Sequence, residues 1–242
     1  MNISLIVCAH NEEKWIGACL THALKNKIPE LSEIIVVNNA STDKTEEIAL
    51  SFSSDFPGLR VVKENEKGLT KARARGLKEA TGDILAYIDA DTQMPLGWLQ
   101  KVKKTFTANS KLAAVSGPYQ YYDLSSWQEF MNNVYWTCLA YPTYFFTGYM
   151  MVGGNFAVKR EALLKIGGFD ESIDFYGEDT DIARRLSYVG KVKFTLFLPM
   201  PTSARRLKKE GLLTATFIYA ANFFSEVLRK KPFTREYKDI RE

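Results

Sequence analysis

Apolar runs and helical stripes alternate regularly through the first half of the chain. Residues 3–8, 33–37, 59–63 and 83–88 are short segments rich in Ile, Val and Leu, and they read as strands. Each is followed by a segment with helical periodicity. Trp15, Ile16, Cys19, Leu20, Ala23 and Leu24 make one such stripe, Thr45, Ile48, Ala49 and Phe52 a second, and Leu69, Arg73, Gly76, Leu77 and Ala80 a third. Strands that alternate with helices pair in parallel, so the pattern predicts an α/β fold with a mostly parallel central sheet flanked by helices. Ligands of such sheets bind beyond the carboxyl ends of the strands, where Asn11, Glu12, Asn38, Asn39, Asp89 and Asp91 all fall.

The second half is less regular. The spacing predicts a helix over 95–107 with Pro95 in its first turn, short strands at 112–115 and 118–122, helices at 159–166 and 179–189, and a closing helix over 212–228. An aromatic-rich stretch covers 127–156, and no charged residue occurs between Glu129 and Lys159. Asn132, Asn133, Pro142, Gly148, Gly153, Gly154 and Asn155 interrupt it, leaving no run of about 18 apolar residues, so a transmembrane helix is not predicted.

Composition narrows the class. At 242 residues, 46% hydrophobic, the chain has ample material for a core. Its 32 basic and 28 acidic residues give +4, but ten basic and only five acidic side chains lie from Ser203 onward. The remainder is near neutral and holds no nucleic-acid-binding motif, so no nucleic-acid partner is expected. Cys8, Cys19 and Cys138 are odd in number and lack CxxC spacing, which argues against zinc and a disulfide framework. With no secretory pattern at the N-terminus, a cytoplasmic protein is expected.

Three features carry chemistry. Asp89, Ala90 and Asp91 end the run Ile84, Leu85, Ala86, Tyr87, Ile88. Side chains two apart on a strand point the same way, and such carboxylates can share a divalent cation carrying a diphosphate. Arg73 shares the apolar face of its helix, whereas Lys71, Arg75 and Lys78 form a separate basic stripe. An arginine so placed, in the first turn of a helix, either snorkels or meets an anion. In Gly177, Glu178, Asp179, Thr180, Asp181, the phase aligns Asp179 with Ile182, Ala183 and Leu186, so its carboxylate faces inward while Glu178 and Asp181 project elsewhere. Desolvation raises the pKa of such a carboxylate toward that of a general base.

The segments CAHNEE, IIVVNNASTDKT, EKGLTKARARGLKEATGDILAYIDADT and GGNFAVKREALLKIGGFDESIDFYGEDTDIARRL, in that order, resemble the inverting GT-A glycosyltransferases of family 2. The resemblance covers 1–206 as a Rossmann-like glycosyltransferase domain and leaves 207–242 as a basic amphipathic helical segment. It implies that Asp89 and Asp91 are the DxD motif, with Asp91 a metal ligand and Asp89 on the ribose or in the metal shell. It makes Arg73 the arginine near the nucleotide and Asp179, with Glu178 beside it, the acid pair whose second member is the general base. Ala9, Asn11 and Glu12 match the loop that holds the nucleotide, and Arg205 and Arg206 a basic pair used against the diphosphate. The implied donor is a nucleotide diphosphate sugar, a UDP- or GDP-sugar, and the implied cofactor Mg²⁺ or Mn²⁺.

Two departures stand out. Asn38 and Asn39 occupy a position where the family commonly has an acid, so base recognition would rest on amides and leaves uridine, guanosine and thymidine open. The only histidines, His10 and His22, are early, so a metal would rely on carboxylates, diphosphate oxygens and water. The acceptor is expected to be a glycan or a lipid-linked molecule of the cell envelope. The aromatic stretch is either a sugar-stacking wall, a lipid-facing surface or core. The closing stripe of Leu213, Phe217, Ala220, Ala221, Phe224 and Leu228, followed by Arg229, Lys230 and Lys231, suits peripheral contact with the inner face of a membrane or docking on its own domain. A non-catalytic nucleotide-sugar-binding partner of a glycan assembly complex is the rival reading.

Overall fold

A computed structural model of the protein describes residues 1–173, 176–229 and 233–234, with backbone alone at 212, 213 and 215–217. Lys230 and Lys231, and the side chains of Leu213 and Phe217, lie outside the described residues. The chain runs β1 (Ile3–Ala9), α1 (Ile16–Lys25), β2 (Leu31–Asn39), α2 (Thr45–Ser51), β3 (Leu59–Glu64), α3 (Leu69–Glu79), β4 (Ile84–Asp89) and α4 (Trp98–Ala108). It continues through β5 (Leu112–Ser116), β6 (Tyr119–Tyr121), α5 (Ser126–Tyr135), a π-helical turn (Trp136–Ala140), α6 (Tyr141–Thr147), β7 (Asn155–Lys159) and α7 (Arg160–Lys165). The last elements are α8 (Glu178–Ser187), β8 (Lys191–Phe194), β9 (Met200–Thr202), α9 (Arg205–Glu210) and α10 (Leu212–Arg229).

Seven strands form one sheet in the order β3-β2-β1-β4-β7-β5-β8, and β6 pairs with β9 in a second, two-stranded sheet. All pairings are parallel except those of β7, which runs against both β4 and β5. Alternation along β1 explains the layering. Ile3, Leu5 and Val7 pack into a core under α1, α2 and α4, while Ile6 and Cys8 face a second core under α3, α7 and α8. Burying two faces requires nearly continuous apolar strands, as in Ile34, Ile35, Val36 and Val37, none of which is exposed.

The chain leaves β1 toward β2 and β3 and returns to β4 on the other side, so the topological switch lies between β1 and β4. Cys8 pairs with Asp89 across it, and Ala9 pairs with Asn38 on the β2 side. Two sequence expectations shift here. Pro95 lies outside α4, which begins at Trp98 after a left-handed Gly97 (φ 79°). The aromatic stretch forms α5, the π turn and α6, with β7 at its end. Among the described residues no helix is long and apolar enough to cross a membrane.

Candidate functional site

Two loops open the site. Asn11, after β1, and Ala40, after β2, both adopt the left-handed conformation (φ 51° and 52°), which is uncommon for residues other than glycine. They persist because the loops are tied together. Ser41 Oγ accepts from the Asn11 N–H (3.0 Å), Asn11 Oδ1 accepts from the Thr42 N–H (2.9 Å), and His10 Nδ1 donates to the Asn39 carbonyl (2.6 Å). Ala9, in the last turn of the pleat, is buried beneath them.

Asn39 serves this scaffold. Its amide donates to the carbonyls of Glu64 (3.2 Å) and Glu66 (2.7 Å) and accepts from the Gly68 N–H (2.9 Å). Asn38 donates to Glu46 (3.0 Å) and accepts from Ser41. The expectation that the Asn39 amide reads a base is therefore corrected: both its protons are committed to fixing the lead into α3.

That lead sets Arg73. It is the fifth residue of α3, past the first turn, and it is 1% exposed. It does not snorkel: Nη1 pairs with Glu178 Oε1, Nη2 lies 3.6 Å from Asp89 Oδ1, and the guanidinium stacks 5.7 Å from the centre of the Phe156 ring. Glu178 thus points into the site, contrary to the expectation that it projects elsewhere. Helix phase governs a helix interior, whereas Glu178 is the first residue of α8, where the helix end abuts Arg73. Asp181 does turn away, to Arg184 (2.6 Å) and Arg185 (2.7 Å).

Burial pushes the Glu178 carboxyl up to about 7, with Arg73 opposing and Asp179 adding to the rise. Its Oε2 is buried without a hydrogen-bond partner. Asp179, half-buried, is also raised by burial, against Arg73 and against Thr180, whose N–H (2.8 Å) and hydroxyl (3.3 Å) donate to Oδ1.

The two aspartates do not share a direction through strand alternation. Asp89 ends β4, but Asp91 lies in the turn beyond it, closed by Thr92, whose hydroxyl and N–H donate to the Asp89 carbonyl (2.8 and 3.2 Å). The Asp89 carboxylate accepts from the Tyr119 hydroxyl (3.0 Å), and Asp91 accepts from Thr202 (3.2 Å) and pairs with Arg205 (3.1 Å). Burial raises the Asp91 carboxyl and Arg205 counters it. Arg205 also grips Glu12, which is 3% exposed, through both terminal guanidinium nitrogens. Arg206 is not brought to these acids; it bonds Tyr176 (3.4 Å) and Glu210 (2.8 Å).

Sequence reasoning missed four contributors. Tyr119 and Thr202 come from the two-stranded sheet, where Tyr119 opposes Met200 and Tyr121 opposes Thr202. Gly153 and Gly154 precede β7: a Cβ on Gly153 would lie 2.6 Å from Glu178 Oε1 and 2.9 Å from Arg73 Nη2, and one on Gly154 would overlap Asp89 Oδ2 and the Tyr119 hydroxyl. The doublet ahead of an apolar strand was the available signal.

Among the described residues no three His, Cys, Asp or Glu side chains converge as a metal cluster. Asp89 and Asp91 alone suit Mg²⁺ or Mn²⁺ whose remaining ligands are phosphate oxygens and water, and do not suit a cage built by protein alone.

Fold and site together define an open α/β architecture with acids and arginines gathered at its switch point. The chain matches glycosyl transferase family 2 over residues 4–167, and it belongs to that family. A second match, over 137–207, is to the N-terminal domain of galactosyltransferase. Relatives include glycosyltransferase AglE of Haloferax volcanii, 34% identical over 107 residues, which covers 43% of this chain and 35% of that protein. The probable glycosyltransferase YdaM of Bacillus subtilis is 27% identical over 199 residues, covering 78% and 47%. The chain thus spans roughly a third to a half of these relatives. Solved structures share the fold. The Pyrobaculum calidifontis mannosyltransferase PcManGT, in complex with GDP-Man and Mn²⁺, superposes with TM-score 0.72 at 24% identity, covering 95% of this chain and 63% of that one. GalNAc-T7 with UDP, GalNAc and Mn²⁺ gives 0.66 at 16%, covering 94% and 52%. These neighbours are GT-A glycosyltransferases, and the present fold is of that type.

Proposed function

We propose that the protein transfers a sugar from a nucleotide diphosphate sugar to an acceptor hydroxyl, with inversion at the anomeric carbon. The observation that carries this reading is a charge imbalance at the switch point. Glu12, Asp89, Asp91, Glu178 and Asp179 gather around Arg73 and Arg205, five carboxylates to two guanidiniums. Such an excess favours a cation, while buried arginines beyond strand ends favour an anion, and a diphosphate arriving with a divalent cation satisfies both. The solved neighbours that carry a nucleotide or nucleotide sugar with Mn²⁺ support the same ligand class.

Asp91 and Asp89 would hold the cation, which when bound supplies positive charge against the departing diphosphate. Arg73, kept charged by Glu178, adds charge at the same end. Asp179 takes the proton of the acceptor hydroxyl as it attacks the opposite face of the sugar, a role suited to a desolvated carboxylate. Calorimetry with UDP and GDP in the presence of Mn²⁺, followed by NMR of the product's anomeric configuration, tests the reading. Failure of both nucleotides to bind would overturn it. Binding without transfer or donor hydrolysis would favour the rival, a non-catalytic nucleotide-sugar-binding partner.

The acceptor side is the arm formed by α5, the π turn and α6. Its exposed apolar residues include Trp127, Phe130, Met131, Leu139, Phe145 and Phe146, the last 92% exposed. Phe223 of α10 packs against the arm's inner aromatics, and Phe224 and Leu228 extend the apolar surface to Arg229. An aromatic surface whose one acid, Glu129, is taken up by the Tyr121 N–H, with Arg229 beside it, fits peripheral contact with anionic lipid and so a lipid-linked acceptor. Flotation with phosphatidylglycerol vesicles tests this, and equal recovery of wild type and Phe145→Asp/Phe146→Asp in the lipid fraction would refute it.

A further inference from the structure

Arg205 bridges the two lips of the switch point. Its fork closes on Glu12, in the loop after β1, with Nη1 to Oε2 at 2.7 Å and Nη2 to Oε1. The same Nη2 stands 3.1 Å from Asp91 Oδ2, in the turn after β4, while Thr202 engages Asp91 Oδ1. Both carboxylates are buried, and a fork shared between them is the geometry in which arginine outperforms a point charge. The bridge is held from behind. Asp123 accepts from the Ala204 N–H (2.7 Å) and pairs with Lys208 (3.0 Å), which fixes the start of α9 and delivers Arg205 from a position far along the chain.

We infer that Arg205 is the resident counter-cation of Asp91, displaced only when a divalent cation arrives together with a diphosphate. The inference rests on the metal-dependent reading above and adds an order to it. Metal alone must displace a guanidinium from its contact with buried Asp91 without offering it a new anion. A diphosphate supplies that anion. Arg205 then moves from Asp91 to phosphate oxygens as the cation takes its place, so binding of the two ligands is coupled through one side chain.

The test is Mn²⁺ binding, followed by the electron paramagnetic resonance signal of free Mn²⁺, to the full chain with and without UDP or GDP. Wild type should bind Mn²⁺ weakly alone and at least about tenfold more tightly with the nucleotide, the scale on which one adjacent opposite charge shifts ion binding to a carboxylate. Arg205→Gln should bind Mn²⁺ alone at least about tenfold more tightly than wild type and should lose most of the gain from nucleotide. Because that variant alters Glu12 as well as Asp91, the pair Glu12→Gln/Arg205→Gln, which removes the Glu12 charge and leaves Asp91 as the carboxylate without its guanidinium, should reproduce the gain with a melting temperature no lower than that of Arg205→Gln. Unchanged Mn²⁺ affinity in both variants would overturn the inference and leave Arg205 a structural clamp. Asp91→Asn separates this outcome from failure of the underlying reading: if it too leaves nucleotide-dependent Mn²⁺ binding intact, Asp91 does not hold the metal at all.

Discussion

Replacing Arg73 by methionine removes the cation paired with Glu178 among the described residues, and the cost follows from burial. Glu178 is 6% exposed and Arg73 1%, so the substitution leaves a desolvated carboxylate whose Oε2 already lacks a partner. Breaking one side of a buried pair costs about 3–5 kcal/mol. A second route gives a similar size: an opposite charge in contact shifts a carboxyl by about 1–3 pKa units, or about 1.4–4 kcal/mol. Asp89, 34% exposed in its side chain and 3.6 Å from Arg73, can turn to water and adds little. At about 2–4 °C per kcal/mol for a chain of this size, the melting temperature should fall by about 6–20 °C near pH 8.

The pH dependence gives the prediction its sign. Glu178 titrates near 7 in the folded protein against 4.5 ordinarily, so the folded state binds the proton more tightly. Its contribution is fully present below about 4.5 and is lost as pH rises toward 7. Without Arg73 the folded value climbs further, so the variant keeps losing stability above pH 7, where this contribution has levelled in wild type. Urea unfolding at pH 5.5 and 8.5 should therefore show a deficit at pH 8.5 that shrinks to about 1–2 kcal/mol or less at pH 5.5, where Glu178 is largely neutral in both proteins. Arg73→Met/Glu178→Gln should recover much of the loss at pH 8.5. An equal deficit at both pH values, or strictly additive single and double variants, would refute the reasoning.

Asp179→Asn should lower turnover by about 10² to 10⁴ and leave donor affinity nearly unchanged, checked by transfer rate and calorimetry on one sample. Gly154→Ala should cost about tenfold or more in nucleotide diphosphate affinity, measured by calorimetry, because the added Cβ overlaps the Asp89 carboxylate and the Tyr119 hydroxyl. Asn39→Ala should destabilise by about 1–3 kcal/mol in urea unfolding, since the Gly68 N–H and two carbonyls lose their partner; no change would mean water replaces the amide freely.

Much of the first half was legible because it is governed by local pattern. The first four strands lie within two residues of their expected bounds, and Arg73 falls on the predicted buried face. Asp89, Asp91 and Glu12 come together because parallel topology sends the ends of β1 and β4 to one edge. Direction of approach was less legible. Glu178 and Asp179 both reach the site because a helix end, unlike a helix flank, has no single inward face. Asn39 and Arg206 carry residue types that suit ligand contact, yet their partners are carbonyls, Tyr176 and Glu210, which no spacing reveals.

The harder part to read has one topological cause, the reversal of β7. It lies between β4 and β5 but runs against both, pairing Asn155 with Ile88 and Lys159 with Ile84. Its beginning, not its end, is therefore at the edge where the parallel strands finish. Gly153 and Gly154 are delivered to Asp89, Arg73 and Glu178, and only residues without a Cβ fit there. The chain then leaves β7 at the far edge and must come back before α8; Thr70, at the start of α3, donates to the Ile173 carbonyl along the way (2.8 Å). That return is what lets α8 begin, with its acid pair, against Arg73. A parallel β7 would have placed the glycines at the opposite edge, so the antiparallel strand is the feature that brings backbone without a Cβ against Asp89, Arg73 and Glu178.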